Sequence, residues 1–255
     1  MDISISILAA AQYLGCERAV QATIANTPRI RRVYWCSDRP CTADFGVPVH
    51  WIRVRSYRRD MPFDVWYNYI SLRLLPAVVD ADVDIHIHAD GFAVNPRAWR
   101  EDFLQYDYIG AVWPHMLPGS NVGNGGFSLR SRRLYDALID WQPSDRGEDW
   151  PGLSEPHYHR FDSGIITMPE DALLASPYRR YMEQHYGLVW APEDLAHCWS
   201  IEYPPQDPAM ISQCFGFHGP WMAQQLGIEL LDYEDKYGTG SSVPTQDVSP
   251  NQRLS

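Results

Sequence analysis

The chain has 255 residues, of which 45% are hydrophobic and 21% charged, a composition that excludes a disordered chain and allows one large α/β domain or two small ones. Its formal net charge of −11 argues against broad nucleic-acid binding, which depends on Lys and Arg side chains to neutralise phosphates. A local phosphate site stays open, because arginines cluster at 29–32 and 53–59.

The first third of the chain predicts alternating strands and helices. The predicted strands are 3–10, 32–37, 49–54 and 83–90, and the predicted helices are 17–26 and 64–79. In the second helix, Trp66, Ile70 and Leu74 are four apart and form an amphipathic stripe, while Pro76 ends or kinks it. A β-α-β-β-α-β order implies a mostly parallel sheet covered by helices on both faces.

The fourth predicted strand carries the run V-D-I-H-I-H-A-D-G-F. Because side chains alternate along a strand, Asp84, His86, His88 and Asp90 share one face. Gly91 is predicted to end the strand, which leaves Asp90 at its C-terminal end, where ligands bind in open α/β sheets. Four ionisable groups need either a cleft or partners. Both interpretations stay open for Asp84 and His86: a functional site, or side chains with partners in the core.

The second part of the chain predicts further elements around a glycine cluster. Helices are expected at 96–105, 134–141, 176–186 and from 192, and strands at 106–113, 127–130 and 161–168. Three glycines within four residues, at 123, 125 and 126, allow close backbone approach to a ligand or a tight turn. The cluster lacks both the G-x-G-x-x-G spacing and a following Gly-Lys-Ser/Thr, so it is neither a dinucleotide fingerprint nor a P-loop.

Two stretches lack apolar periodicity. Residues 142–160 are rich in Pro and Gly, and loops of this length in a compact domain are usually functional or mobile. The composition of 237–255 predicts a disordered tail after a single domain at 1–236.

The cysteines and the apolar runs indicate the cellular compartment in which the protein is expected. Five scattered cysteines without a C-x-x-C pair favour a reducing compartment. No stretch approaches the ~20 apolar residues of a membrane span, and residues 3–11 lack the basic leader of a signal peptide. We therefore expect a cytoplasmic protein with no membrane span.

Two runs in the middle of the chain carry a resemblance to a known family. Y-D-Y-I-G-A-V-W-P and V-G-N-G-G-F-S-L-R-S resemble a family of bacterial and viral glycosyltransferases of the GT-A class, long known as a domain of unknown function (DUF5672). H-A-D-G-F, followed by Asn95, Pro96 and Trp99, is similar to the family segment around its acidic donor-site residue. P-E-D at 192–194 and F-G-F-H-G at 215–219 fall where such proteins carry a catalytic acid and a C-terminal histidine. The resemblance covers about residues 1–222.

The resemblance implies a GT-A-like α/β fold, a mixed and mostly parallel sheet flanked by helices, that binds a nucleotide-diphosphate sugar. In such enzymes a D-x-D motif holds a divalent metal, but here the first carboxylate is replaced by His88. Imidazole is a good ligand for Mn²⁺ and a poor one for Mg²⁺. We therefore expect Mn²⁺ rather than Mg²⁺, held by Asp90, His218 and His88.

The expected reaction moves a sugar to a hydroxyl acceptor with inversion. It needs positive charge at the leaving diphosphate and a base for the acceptor proton, for which we predict Asp194, with Glu193 as the near alternative. Predicted donor contacts are Asp38, Arg73, Asp90, Gly91, Asn124, Gly125 and Gly126. Trp113 and Trp150 are predicted to stack on the acceptor, which is a glycan, a small molecule or a modified nucleic-acid base.

Two other interpretations stay open. The run His86-Ile87-His88-Ala89-Asp90 resembles the start of the H-x-H-x-D-H site of metallo-β-lactamase-type hydrolases, although Gly91 stands where that motif has histidine. A GT-A-shaped sugar-nucleotide-binding protein that has lost catalysis is the second, because the D-x-D pattern is altered.

Overall fold

The structure is a computed structural model that describes residues 1–56, 63–141, 159–160, 166–205 and 207–232. Trp150, most of the predicted long loop at 142–160 and the predicted tail at 237–255 lie outside the described residues.

Short strands and helices alternate along the described chain. The strands are β1 (Ile3–Ala9), β2 (Ile30–Ser37), β3 (Val49–Arg53), β4 (Val83–Ile87), β5 (Gly91–Ala93), β6 (Tyr108–Ile109), β7 (Ala111–Val112), β8 (Val122–Gly123), β9 (Phe127–Ser131), β10 (His159–Arg160), β11 (Ile166–Thr167), β12 (Ser200–Ile201) and β13 (Gly216–His218). The α-helices are α1 (Tyr13–Asn26), α2 (Phe63–Tyr69), α3 (Leu75–Val78), α4 (Arg132–Trp141), α5 (Glu170–Ala175), α6 (Pro177–Tyr186), α7 (Glu193–Trp199) and α8 (Pro220–Gln225).

The central sheet has the strand order β3-β2-β1-β4-β9-β6. The first four strands are parallel, whereas β9 runs antiparallel to both of its neighbours. A smaller sheet, β12-β13-β5, stands beside it. The predicted fold class, a mixed and mostly parallel sheet flanked by helices, is confirmed.

The two faces of the central sheet pack into different apolar clusters. Val83, Ile85 and Ile87 of β4 belong to the cluster that includes α1 and the β13 strand. The opposite cluster is built from α2, α4, α5 and α6. Strand alternation therefore directs Asp84 and His86 toward the second helix layer, where their partners are found.

The fourth strand is shorter than the sequence predicts. It ends at Ile87, and a turn follows in which His88 and Gly91 exchange backbone hydrogen bonds of 3.1 and 3.2 Å. Gly91 then starts β5, which pairs antiparallel with β13 in a register that sets Gly91 opposite His218. An ideal Cβ at Gly91 would lie 2.6 Å from the Gly126 carbonyl oxygen, so the crossing requires glycine. The turn brings the two predicted metal-ligand segments together.

The predicted helix at 64–79 is confirmed with an irregularity in its middle. A π-helical segment, Ile70–Leu74, separates α2 from α3. Pro76 provides a physical reason, because its ring clashes with the carbonyl four residues earlier and a wider turn relieves that clash. The π segment directs Ser71 into the buried network below the site.

Two predicted elements between 96 and 113 are broken up. The expected helix at 96–105 is two 3₁₀ turns, Pro96–Ala98 and Glu101–Gln105, because Trp99 and Arg100 have extended backbone angles. The expected strand at 106–113 is divided at Gly110, where an ideal Cβ would lie 1.5 Å from the Gly123 carbonyl oxygen. Within the described ranges, no helix combines the length and apolar character needed to cross a bilayer.

Candidate functional site

Three predicted metal ligands meet at the end of β4. His88 and Asp90 lie in the turn after β4, and His218 ends β13; one ligand atom from each lies within 4.8 Å of the others. His218 Nε2 is 3.7 Å from Asp90 Oδ1, and the His88 and His218 rings are 5.5 Å apart. Two imidazoles and one carboxylate form a donor set suited to Mn²⁺ and other first-row metals.

The two histidines of this cluster have opposite electrostatic surroundings. Burial and the nearby charge of His218 lower the pKa of His88 to about 4, so His88 is neutral at physiological pH. Burial also opposes the charged form of His218, but Asp90 and Glu202 outweigh it and raise its pKa to about 9. Without a metal, a proton on His218 balances the surrounding carboxylates.

Asp84 has partners in the core rather than a place in a cleft. It is fully buried and accepts hydrogen bonds from the hydroxyls of Ser4 at 2.6 Å, Ser6 at 2.5 Å and Tyr135 at 2.7 Å. Burial raises the pKa of Asp84, and these three donors act against that rise. The structural interpretation of Asp84 is therefore confirmed.

Both ring nitrogens of His86 are also occupied. Nδ1 is 2.8 Å from Ser6 Oγ and Nε2 is 2.7 Å from the hydroxyl oxygen of Tyr67. The hydrolase interpretation needs His86 as a metal ligand on a sheet face that opens to solvent. Here the ring is 1% exposed and fully hydrogen-bonded, which argues against that interpretation.

The glycine cluster makes room for protein groups. An ideal Cβ at Gly126 would lie 2.1 Å from His218 Nε2, and one at Gly125 would lie 2.4 Å from both carboxylate oxygens of Glu170. The Gly125 N–H donates to Asp171 Oδ2 at 3.0 Å. The absence of a side chain at Gly126 and Gly125 thus leaves room for His218 and Glu170, and contacts from these two glycines to the donor sugar remain a prediction.

Asn124 has a similar internal role. It adopts a φ of 72°, a left-handed conformation that asparagine tolerates. Its side-chain nitrogen is 2.7 Å from His218 Nδ1, and its side-chain oxygen accepts from the Phe127 N–H at 3.1 Å. Asn124 thus lies against His218 and closes its own loop, and a contact from this buried amide to the donor sugar remains a prediction.

A buried ion pair supports the loop from below. Arg130 of β9 and Glu170 of α5 are in contact, with side chains 0% and 2% exposed. Arg130 also donates to Ser71 at 2.7 Å and to Ser128 at 3.0 Å, and Ser71 donates to Glu170 at 3.1 Å. The network ties the π segment, β9 and α5 together beneath Gly125.

A small cavity opens at the carboxyl ends of β1 and β4. It measures about 110 Å³, and Gln12, Tyr67, His88 and Asp90 are among its lining residues. The predicted nucleoside contact, Asp38, lies at the exposed end of β2 and accepts from the hydroxyls of Tyr13 at 2.6 Å and Ser56 at 2.5 Å.

The predicted donor contacts Gly91, Arg73 and Asp90 have different surroundings. Gly91 uses its N–H and C=O within the turn, and Arg73 is half-buried in the π segment. Asp90 lines the cavity. A direct contact between the donor and Arg73 remains a prediction.

Two larger cavities are lined in part by Glu202, a neighbour of His218. They measure about 390 and 490 Å³ and share Trp113, Met116, Glu202 and Tyr203. The Trp113 indole N–H donates to Glu202, whose other oxygen is 3.3 Å from His218 Nδ1. Glu202 therefore joins the predicted acceptor residue Trp113 to the metal-ligand cluster, a link that no sequence motif indicated.

The tripeptide Pro-Glu-Asp occurs twice in the chain, at 169–171 and at 192–194. The predicted catalytic base belongs to the second copy, where Asp194 is exposed at the start of α7 and Glu193 lines the larger cavity. The first copy lies at the glycine cluster: Asp171 lines the smaller cavity and accepts from Gly125. The repeat was the one sequence signal that could have identified Asp171.

Asp171 has a strongly shifted acidity. Burial and the neighbouring carboxylate of Glu170 raise its pKa to about 7, against the lowering effect of the Gly125 N–H. A carboxylate with a pKa near the working pH is suited to general-base catalysis.

Comparisons with known proteins complete the description. A structure of galactosyltransferase LgtC in complex with donor and acceptor sugar analogs matches with 14% identity and a TM-score of 0.48, covering 86% of this chain and 88% of that one. Mouse xyloside xylosyltransferase 1 in its apo form matches with 10% identity and a TM-score of 0.47, covering 86% and 98%. No curated protein matches the sequence. A family model described as "Protein of unknown function (DUF5672)" matches residues 73–218, more than half of the chain, and the protein belongs to that family.

Proposed function

We propose that this protein is a metal-dependent glycosyltransferase that moves a sugar from a nucleotide-diphosphate donor to a hydroxyl acceptor. The observation that carries the proposal is the cluster of His88, Asp90 and His218. It lies at the carboxyl end of β4, where His88 and Asp90 line the small cavity, and its His218 contacts Glu202, which lines both aromatic-lined cavities. A ligand in an open α/β sheet is expected at this end of the strands.

The residues of the cluster fit a divalent cation. His88 is neutral, Asp90 supplies negative charge, and His218 faces Asp90 through Nε2. When bound there, a divalent cation would neutralise negative charge on the donor diphosphate. The two imidazoles favour Mn²⁺ over Mg²⁺, which prefers oxygen ligands.

The cavity at the ends of β1 and β4 is the proposed donor site. Asp38, fixed by Tyr13 next to the cavity-lining Gln12, is the proposed contact to the nucleoside. Arg73 remains the proposed arginine contact to the diphosphate.

The aromatic-lined cavities are the proposed acceptor site. Trp113 and Tyr203 offer ring faces, and the larger cavity is also lined by Asn121 and Ser200. Each of these two residues has a buried side-chain oxygen without a hydrogen-bond partner among the described residues. Unpaired buried oxygens are costly, so a ligand rich in hydroxyl groups would supply the missing donors. This favours a sugar-like acceptor over an apolar one.

In the proposed reaction, a carboxylate takes the proton of the acceptor hydroxyl as its oxygen bonds to the anomeric carbon. The bond from that carbon to the diphosphate oxygen breaks, and the electron pair leaves with the diphosphate. We propose Asp171 as the base, because it lines the acceptor cavity and its pKa is raised to about 7. Asp194 and Glu193, the bases expected from the sequence, are the alternatives.

A thermal-shift screen tests the proposal with UDP-, GDP-, dTDP- and CMP-linked sugars, each with EDTA, Mg²⁺, Mn²⁺ or Zn²⁺, and with each metal alone. A ligand that binds only the native state stabilises it by about 2.7 kcal/mol at a hundredfold excess over its dissociation constant. We expect stabilisation by one nucleotide class, larger with Mn²⁺ than with EDTA. Stabilisation by Zn²⁺ alone and by no nucleotide would contradict the proposal.

A second candidate is a sugar-nucleotide-binding protein without transfer activity. The replacement of the first D-x-D carboxylate by His88 favours it, because one negative charge at the metal site is lost. Donor binding without release of nucleoside diphosphate, in the presence of varied acceptors, would support this candidate over the enzyme.

A further inference from the structure

A chain of hydrogen bonds runs behind the metal-ligand cluster into the core. The Tyr67 hydroxyl oxygen lies 2.6 Å from His88 Nε2 and 2.7 Å from His86 Nε2. His86 Nδ1 lies 2.8 Å from Ser6 Oγ, which is 2.5 Å from Asp84 Oδ2. Apart from His88, which is half-buried, every member of this chain is less than a tenth exposed.

When Asp84 is ionised, the protons in this series of hydrogen bonds can point in only one direction, toward Asp84. An ionised carboxylate accepts only, and here it receives three hydroxyl donors, so the single Ser6 proton points to Asp84. Ser6 must then accept from Nδ1–H of His86, which leaves His86 Nε2 as an acceptor.

The next two links follow from the same rule. His86 Nε2 can only accept, so the single Tyr67 proton points to it. The Tyr67 oxygen then accepts from Nε2–H of His88. His88 consequently has its lone pair on Nδ1, the nitrogen that Tyr67 does not occupy.

We propose that Tyr67, His86, Ser6 and Asp84 form a proton-ordering chain that fixes His88 as its Nε2–H tautomer and presents Nδ1 to the metal. Tyr67 is in this sense a positioning residue: it orients the His88 ring and leaves one nitrogen for coordination. Outer hydrogen bonds of this kind hold metal-ligating histidines in place and make them better donors. The inference rests on the proposed metal site, but the tautomer itself is a property of the metal-free protein.

Long-range ¹H–¹⁵N correlation spectra of protein labelled at histidine nitrogens test the tautomers directly. The measurement uses the full chain without metal at pH 7.5, with His86 and His88 assigned through His86→Gln and His88→Gln variants. We expect His86 as the Nδ1–H tautomer and His88 as the Nε2–H tautomer. His88 as the Nδ1–H tautomer would mean that Asp84 is protonated and the chain runs the other way, which overturns the proposal.

Variants show whether the chain, rather than ring packing alone, sets the tautomer. Tyr67→Phe keeps the ring but removes the hydroxyl, so His88 should populate both tautomers. Ser6→Ala keeps the contact between Tyr67 and His88 but removes the link to Asp84, and it should also mix the tautomers. Tyr69→Phe is the matched control, because Tyr69 lies in the same helix and is 54% exposed. An unchanged His88 signal in both test variants would overturn the proposal.

Mn²⁺ affinity, measured by electron paramagnetic resonance of the free ion, adds a second readout without any sugar nucleotide. Tyr67→Phe should bind Mn²⁺ about 10–100-fold more weakly than the wild type, the usual effect of removing an outer partner. Tyr69→Phe should bind as the wild type does. Equal Mn²⁺ affinity of wild type and Tyr67→Phe would remove Tyr67 from the metal site. If the tautomers are as expected but no sugar nucleotide binds, the proposed function fails while the proton-ordering chain stands.

Discussion

Asp171 and Asp194 follow the same Pro-Glu dipeptide and each lies in the first turn of a short helix, yet their surroundings differ. Asp171 accepts from the Gly125 N–H and lines the smaller of the two aromatic-lined cavities, whereas Asp194 is exposed. The two copies share only the tripeptide Pro-Glu-Asp, and the tertiary position of α5 against the glycine cluster separates the two carboxylates.

Asp171→Asn should lower kcat by about 10²–10⁴-fold, because general-base catalysis typically contributes that much. Donor affinity should stay close to that of the wild type, since Asp171 is assigned to the acceptor side. Asp194→Asn is the matched variant, with the same change in the second Pro-Glu-Asp copy, and should keep near-normal kcat. The reverse pattern in steady-state kinetics would return the base to Asp194, as the sequence alone indicated.

The raised pKa of Asp171 also predicts how stability depends on pH. Burial raises its folded-state pKa to about 7 from an ordinary value of 3.8. The protonated form is therefore favoured in the folded state, and its contribution is fully present below about pH 4 and lost as pH rises through 7. In urea titrations of the wild type, the contribution of Asp171 to the free energy of unfolding should therefore become less favourable as the pH rises from 4 to 8.

Asp171→Asn removes that titration, so its stability relative to the wild type should rise with pH over the same window. The same comparison with Asp194→Asn controls for the loss of an exposed carboxylate. A difference between Asp171→Asn and wild type that stays constant from pH 4 to pH 8 would contradict a raised pKa at Asp171.

At the level of secondary-structure elements, the site depends on α5 being held against β9. The Arg130–Glu170 pair joins these two elements and is almost fully buried. Removing one partner of a buried pair typically costs about 3–5 kcal/mol, because the other charge is left uncompensated. Glu170→Gln should therefore lower the free energy of unfolding by about that amount in urea titrations.

The exposed i,i+4 pair Arg132–Asp136 in the neighbouring helix α4 offers the control. Asp136→Asn should change the free energy of unfolding by no more than about 0.5 kcal/mol, the usual value of such a pair. Similar effects of Glu170→Gln and Asp136→Asn would show that the buried network does not hold α5 in place.

The loop between β8 and β9 packs against His218, so a substitution in this loop should change metal binding. A Cβ at Gly126 would lie 2.1 Å from His218 Nε2, so Gly126→Ala should displace the His218 ring and weaken Mn²⁺ binding by at least about tenfold. Gly119→Asn serves as the control, since Gly119 has a φ of +85° that Asn tolerates and no atom within 4 Å of its ideal Cβ. Titration calorimetry that gives equal Mn²⁺ affinity for Gly126→Ala and wild type would contradict the close packing.

At the level of the whole molecule, the order of strands and helices along the first third of the chain and a mostly parallel sheet could be predicted, because apolar runs and helical stripes are local signals. The predicted metal ligands could be identified in part, since Asp90 lies near the end of a buried strand and the family resemblance implied a C-terminal histidine at His218. The end of β4 at Ile87 could not be predicted, because it depends on Gly91 pairing with His218 of β13, which lies 127 positions further along the chain, and no local pattern encodes that pairing.

The hydrogen-bond partners of the buried polar groups could not be predicted from the sequence either. Asp84 and His86 have hydroxyl partners on β1, α2 and α4, and Glu202 lies beside His218 through contacts between different strands. Such contacts are fixed by the packing of layers, whereas sequence spacing reports only neighbours on one element. The whole-molecule arrangement therefore decides which carboxylates belong to the site.

The central claim is metal-dependent transfer at the cluster of His88, Asp90 and His218. Its most direct test uses the donor that stabilises the protein. Mass spectrometry measures the nucleoside diphosphate released from that donor with Mn²⁺ or with EDTA. We predict release with Mn²⁺ by the wild type and by the remote surface variant Asp44→Ala, and none by Asp90→Ala. Equal release by Asp90→Ala and wild type, or equal release with Mn²⁺ and with EDTA, would contradict the claim.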